Sequence, residues 1–263
     1  MKLSNFRIID LTKFGLLLLL TVAIAACAGV PALNNSTSSW KEEVLLHDGN
    51  KIIATRTLER GGMREYKKHW GIRAQSLSFI NPNTKQSIVW HDGYSQDISG
   101  TNFLPMMLEI KDDVPYLVVN PMGLLSYNKW GRPNPPYVIF RYQDNNWQRI
   151  SLDELPMEFN EFNLIISTPD ENAKRLAVNG VVSAQKIREY LDGRRNDTTP
   201  KEYKSLVREP IKVGSMTLVR TGNGWKSLDW FTKKPSLEAC MNFCDSEKVT
   251  SENCPCNSIF KAE

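Results

Sequence analysis

Between residues 43 and 150 the chain alternates short runs of β-forming residues with tight turns, two strands at a time. Glu43-Val44-Leu45-Leu46 and Lys51-Ile52-Ile53-Ala54-Thr55 flank His47-Asp48-Gly49-Asn50. Apolar β-formers on both sides of Asp-Gly predict a hairpin, because the turn needs residues that tolerate positive φ. Arg60-Gly61-Gly62 is expected to end this unit. A second hairpin is predicted from Ser76-Leu77-Ser78-Phe79-Ile80 and Ser87-Ile88-Val89-Trp90 around Asn81-Pro82-Asn83, with Leu77 and Phe79 alternating with polar residues as on a half-buried strand. Met106 to Ile110 and Tyr116 to Val119 flank Lys111-Asp112-Asp113 and give a third. Tyr137 to Tyr142 and Trp147 to Ile150, around residues 143–146, give a fourth, with aromatic residues placed to pack across strands. Residues 131–136, Gly-Arg-Pro-Asn-Pro-Pro, must be a loop, since proline removes backbone donors and fixes φ. Residues 162–166 are expected to form one more strand.

Later the period changes. Thr168-Pro169-Asp170-Glu171 has the N-cap, first-turn proline and early acids of a helix start, and the helix is expected to end near Asn179-Gly180. Ser183 is placed to cap a second helix, with Ile187, Tyr190 and Leu191 on one face and Gly193 at its stop. A third short helix is expected over 200–207, then two strands at 215–220 and 225–228. Many short strands with a few late helices imply a mainly β, β-rich α+β fold, an antiparallel sandwich or barrel-like core. A small propeller is the second option. His47-Asp48-Gly49 and His91-Asp92-Gly93 are 44 residues apart, within the blade period of about 40–45, but the motif does not recur.

The longest apolar run is at the start. Lys2, Arg7 and Lys13, with Asp10, precede residues 14–26, which are apolar and end in small residues before Cys27. A bilayer core needs about 20 apolar helical residues to span it, so the segment reads as a cleaved export signal. Ile24-Ala25-Ala26-Cys27 resembles the lipobox of bacterial lipoproteins. The resemblance implies a diacylglycerol on the Cys27 thiol, cleavage before Cys27, acylation of the new amine, and a membrane partner reached through that lipid. With Ala28 in the following position, it implies the outer membrane, facing the periplasm of a Gram-negative cell. Residues 1–26 are then the signal, 27–40 a lipidated cysteine and polar tether, 41–235 a β-rich domain with helices near 169–207, and 236–263 a cysteine-stapled tail.

Removal of the signal takes away three cations and one anion, so the formal charge falls from +4 to +2 over the remaining 237 residues. That suits one large domain or two small ones. It argues against a nucleic-acid partner, which requires a concentrated basic face.

Of five cysteines, Cys27 is assigned to lipid and Cys240, Cys244, Cys254 and Cys256 remain. An even set in an exported chain reads as two disulfides. A helix over 236–243 would put Cys240 and Cys244 on one face. A Cys254–Cys256 ring is strained, which leaves bridges between the two pairs. The nested set, Cys240–Cys256 with Cys244–Cys254, is preferred; a four-thiolate metal site and a redox-active pair are the alternatives.

Candidate chemistry is sparse. His47 and His91 are the metal-ligand candidates, but no His-x-x-x-His spacing supports them, and Asp-Gly beside each is explained by turn geometry alone. No G-x-S-x-G or phosphate-loop motif occurs, and no cofactor is implied. Trp130, Tyr137 and Trp147 lie in an aromatic stretch around the proline loop that is a candidate surface for a glycan or an envelope protein; cross-strand core packing is the competing account. The expectation is a membrane-anchored binding or assembly module without catalysis, with a cell-wall or glycan hydrolase, or a small-ligand or metal binder, as alternatives.

Overall fold

The computed structural model describes residues 36–65, 69–196, 198–212, 214 and 216–260. The signal, Cys27 and residues 28–35 lie outside the described residues. The chain is mainly β, with its helices late, and forms two large sheets and a small one with no closed barrel.

The first sheet has the order β4-β3-β2-β1-β9, from β1 (Ser36–Leu45), β2 (Lys51–Glu65), β3 (His69–Ile80), β4 (Ser87–Asp92) and β9 (Val181–Val182). The second has the order β5-β6-β7-β8, from β5 (Phe103–Lys111), β6 (Val114–Pro121), β7 (Val138–Gln143) and β8 (Asn146–Ile150). All neighbouring pairs are antiparallel except β9, which runs parallel to β1. The four expected hairpins form around the expected turns. Asp112 and Asp113, and Asp144 and Asn145, hold the positive φ values that two-residue hairpin turns demand.

Strict alternation sorts the strands into faces. On β4, Ile88, Trp90 and Asp92 are buried while Val89 and His91 are exposed. Val44, Ile52, Ala54, Leu77, Phe79, Ile88 and Trp90 of the first sheet share a core with Leu108, Leu117, Val119, Val138 and Phe140 of the second. The alternate residues of the second sheet, Met107, Val118 and Ile139, face a further core built with Leu155, Phe159, Ile165, Ala173, Ile187 and Leu191. Most of β5 and β6 is therefore buried on both faces, which is why β6 reads as an almost continuous apolar run.

Several expectations are corrected. The sheets hold five, four and two strands and do not repeat as propeller blades. The two His-Asp-Gly segments are unlike: Asp48 is exposed in a turn, whereas Asp92 is buried and accepts hydrogen bonds from Gln75, from both nitrogens of Asn102 and from the Phe103 amide. Residues 36–40, expected in the tether, belong to β1 and pair with β2 from Arg60 to Arg56. β2 does not stop at Gly61-Gly62; its register with β3 passes from Arg60↔Ile72 to Arg64↔Trp70, so the glycines occupy a bulge of two extra residues.

Residues 162–166 are no strand. They run as a buried irregular segment, with Phe162, Leu164, Ile165 and Ile166 in the core. A bulge on β5 at Met106 explains it: its carbonyl accepts from the amides of Asn163 and Leu164, both at 3.3 Å. Helix α1 (Gly123–Lys129) was not foreseen. Helix α2 (Pro169–Leu176) ends before Asn179-Gly180, which instead make a tight turn closed by Val178 and Val181. Helix α3 (Ala184–Asp192) is capped by the Ser183 hydroxyl, which accepts from the Lys186 amide. The helix expected over 200–207 is a single 3-10 turn, Lys201–Tyr203.

At the C-terminus β10 (Leu218–Thr221) and β11 (Gly224–Ser227) pair, followed by α4 (Asp229–Thr232), α5 (Leu237–Ser246) and α6 (Cys256–Ile259). Disulfides join Cys240 to Cys256 and Cys244 to Cys254. With Val219, Phe231 and Val249 they form a third core, so this unit reaches back to β10.

Candidate functional site

The turn end of the sandwich carries a cleft of about 490 Å³. Its apolar floor is Leu46, Phe162, Ile187 and Leu191; Glu158, Asn160, Glu161, Arg188 and Arg195 stand along its rim.

His47 is placed there by a rigid turn. The Leu46 amide donates to Asn50 O at 2.8 Å, Gly49 N to Leu46 O at 3.0 Å, and Asp48 Oδ1 accepts from Asn50 N at 2.9 Å. Gly49 has φ +86°, a conformation that a side chain would strain. The His47 amide and its Nδ1 both lie 3.0 Å from Glu109 Oε2, and the imidazole meets Phe159 edge-on at 4.8 Å. Arg208 fixes the loop bearing Phe159 by donating to the carbonyls of Leu155, Pro156 and Phe159.

Glu109 projects inward from β5 with a side chain only 5% exposed, against 22% for His47. Its other oxygen, Oε1, accepts from Asn163 Nδ2 at 3.1 Å. Asn163 also donates to Leu108 O and Leu45 O and accepts from the Leu108 amide, so one side chain ties β1, β5 and the irregular segment to the dyad. Burial pushes the Glu109 carboxyl above the ordinary carboxylate range, against the pull of the His47 hydrogen bonds and charge.

The far wall is α3. Glu43 of β1 accepts from the Ala184 amide at 3.0 Å, an acid at a helix N-terminus, and pairs with Lys51 at 3.0 Å. The Ala184 amide and then Lys51 hold the Glu43 carboxyl below its usual range. Arg195 pairs with Glu161, and Lys111 with Glu158. With Nδ1 facing Glu109, Nε2 is the ring nitrogen left for another partner. The site thus combines an apolar floor with a histidine–carboxylate pair able to give or accept a proton. Among the described residues, no serine, threonine or cysteine lines it.

The other candidates fall elsewhere. His91 is exposed on β4, where it pairs with Ser76 of β3, and the structure does not bring it together with His47. Among the described residues, the group with metal-ligand spacing is Cys244, Cys254 and Cys256, and these cysteines are in disulfides. The aromatic candidates make contacts within the chain, Tyr137 buried and Trp130 and Trp147 half-buried. Tyr137 is buried; its hydroxyl donates to Glu202 O at 2.9 Å and burial raises its phenol. Trp130 packs on Phe103 at 4.6 Å and donates to Asn102 Oδ1, and Trp147 donates to Val89 O at 2.9 Å, stitching β8 to the edge of β4. The proline loop is occupied by the chain itself: Asn134 exchanges two hydrogen bonds with Ile211, and Arg132 donates to Met216 O.

Glu109 and Asn163 escaped the sequence reading. A glutamate in the middle of the apolar β5 strand was the one available signal, but its partner is 62 residues away. Compared with protein-family models, with curated proteins and with solved structures, the chain matches none. Among the described residues no helix is long and apolar enough to cross a membrane.

Proposed function

We propose that the chain is a lipid-anchored envelope protein, held at the periplasmic face of the outer membrane through Cys27, and that its cleft is a non-catalytic binding seat. The carrying observation is the convergence of His47, Glu109 and Asn163 on a hollow of about 490 Å³ with an apolar floor, a volume in the range of small-ligand sites. The occupant is a small molecule or a chain end from an envelope glycan or protein. Its apolar part lies on Ile187 and Leu191 and a hydrogen-bonding group meets His47. The lipobox-like Ile24-Ala25-Ala26-Cys27 supports the anchor.

Mild cross-linking in the native envelope, capture through a C-terminal tag and mass spectrometry test the seat. A reproducible partner that disappears with Asn160→Trp, which fills the rim from an exposed position, is the expected result. The same capture with the cleft filled would sink the binding reading. For the anchor, Cys27→Ser is expected to move the protein out of the membrane fraction or leave it unprocessed; membrane retention with normal cleavage would overturn it.

A hydrolase acting on cell-wall or glycan material is the second reading, favoured by the His47–Glu109 pair, which orients an imidazole as in general-base catalysis. Turnover of isolated cell-wall fragments that is lost in His47→Gln would replace the binding reading with this one.

A further inference from the structure

The four C-terminal sulfurs are not equivalent. Cys240, Cys244 and Cys256 are buried, at 0%, 1% and 0% exposure, while Cys254 is only partly buried. Cys240 and Cys244 lie one turn apart on α5, against Val219, Phe231 and Val249. The two disulfides also touch: Cys244 Sγ lies 3.5 Å from Cys256 Sγ, although the two belong to different bridges. Cys254 is thus the least buried residue of the four, and its disulfide partner Cys244 is in contact with the second bridge.

We propose that this cluster is a thiol–disulfide exchange site, attacked at Cys254 and relayed through Cys244 to the buried Cys240–Cys256 bridge. In the first step an incoming thiolate forms a bond to Cys254 Sγ, the Cys254–Cys244 bond breaks, and its electron pair leaves on Cys244 Sγ. That thiolate sits in apolar surroundings, where an uncompensated charge is costly, so it is discharged by attack on a neighbouring disulfide. Two disulfide sulfurs are in its reach, Cys254, which reverses the step, and Cys256. Attack on Cys256 forms a Cys244–Cys256 bond, breaks Cys256–Cys240, and leaves the pair on Cys240, which takes up a proton. One thiol is consumed and one is produced, with no net oxidation. The ligand is any small thiol, or a dithiol that then resolves the mixed disulfide at Cys254. Nothing in the relay depends on the cleft or on the lipid anchor.

Glutathione is the probe. The full chain is incubated with it without oxygen, quenched with acid at intervals, denatured, alkylated and mapped by peptide mass. The expected course is a glutathione adduct on Cys254, alkylation first at Cys244 and then at Cys240, and a new Cys244–Cys256 linked peptide. In the double variant Cys244→Ser with Cys254→Ser, the Cys240–Cys256 bridge is expected to open about tenfold more slowly, since its sulfurs lack access to solvent. Alkylation that stays at Cys244, a first adduct at Cys240 or Cys256, or equal opening rates in the double variant would overturn the relay. Should the double variant fail to fold, the order of labelling in the parent chain decides alone.

Discussion

Glu42 and Arg56 form an ion pair at 3.0 Å with side chains 0% and 3% exposed. Glu42 also accepts from Trp40 Nε1 at 2.7 Å and from the Ile165 amide at 3.1 Å, while Arg56 donates to Ile165 O at 2.7 Å. The pair thus supplies the backbone partners that a strand neighbour would have given Ile165. Removing one member leaves a buried charge alone, so Glu42→Ala is expected to cost about 3–5 kcal/mol in urea unfolding. A cost under about 1 kcal/mol would contradict this role. Arg60 and Asp170 form a second, two-pronged pair, with both hydrogen bonds at 2.8 Å. Burial acts to raise Asp170, but the Arg60 hydrogen bonds and charge outweigh it and hold the carboxyl below its ordinary value. A depressed folded pKa means that the pair stabilises above the unfolded value of 3.8 and that this stability is lost as pH falls through the lower folded value. Asp170→Asn is therefore expected to flatten the acid limb of the melting-temperature profile below about pH 4; an unchanged limb would refute it. Neither pair was visible in the sequence. Asp170 read as a first-turn acid of α2, which it is, but Arg60 lies 110 residues away.

Elements set by neighbouring residues were legible, and elements set by distant ones were not. The hairpins around His47-Asp48-Gly49-Asn50 and Asp112-Asp113 follow from local turn chemistry and alternation. The Ser183 cap follows from spacing, and spacing leaves the disulfides to run between the Cys240/Cys244 and Cys254/Cys256 pairs, where the preferred nested set forms. Residues 162–166 carry a strand's composition, but the Met106 carbonyl and the side chains of Glu42 and Arg56 take its backbone hydrogen bonds. Gly61-Gly62 reads as a stop, yet pairing resumes beyond a bulge. Asn163 is the joint of this region. Asn163→Ala strands the Leu108 amide and carbonyl and one Glu109 oxygen, with an expected cost of about 1–3 kcal/mol. The loss should appear as faster amide exchange over 162–166 and β5, with β3 and β4 unchanged. Uniform acceleration across all strands would argue against a local joint.

Across the whole molecule, the two sheets place the β1–β2 turn, the end of β5 and α3 around one hollow, and the proline loop holds Ile211 and Met216 through Asn134 and Arg132. Trp130, Tyr137 and Trp147, expected to meet a partner, each hydrogen-bond to groups of this chain, and the proposed binding seat is the cleft. A turn histidine was easy to see and hard to value. Its worth comes from Glu109, which sequence order separates from it and the fold returns to 3.0 Å. The most direct test of the cleft as a binding seat is photo-cross-linking in the intact envelope from residue 161 at the rim, with residue 80 on the exposed outer face of the first sheet as control. The expected result is a discrete adduct from position 161 that Asn160→Trp abolishes, and none of the same mass from position 80. Equal adducts from both positions, or an adduct from position 161 that persists with the cleft filled, would contradict it.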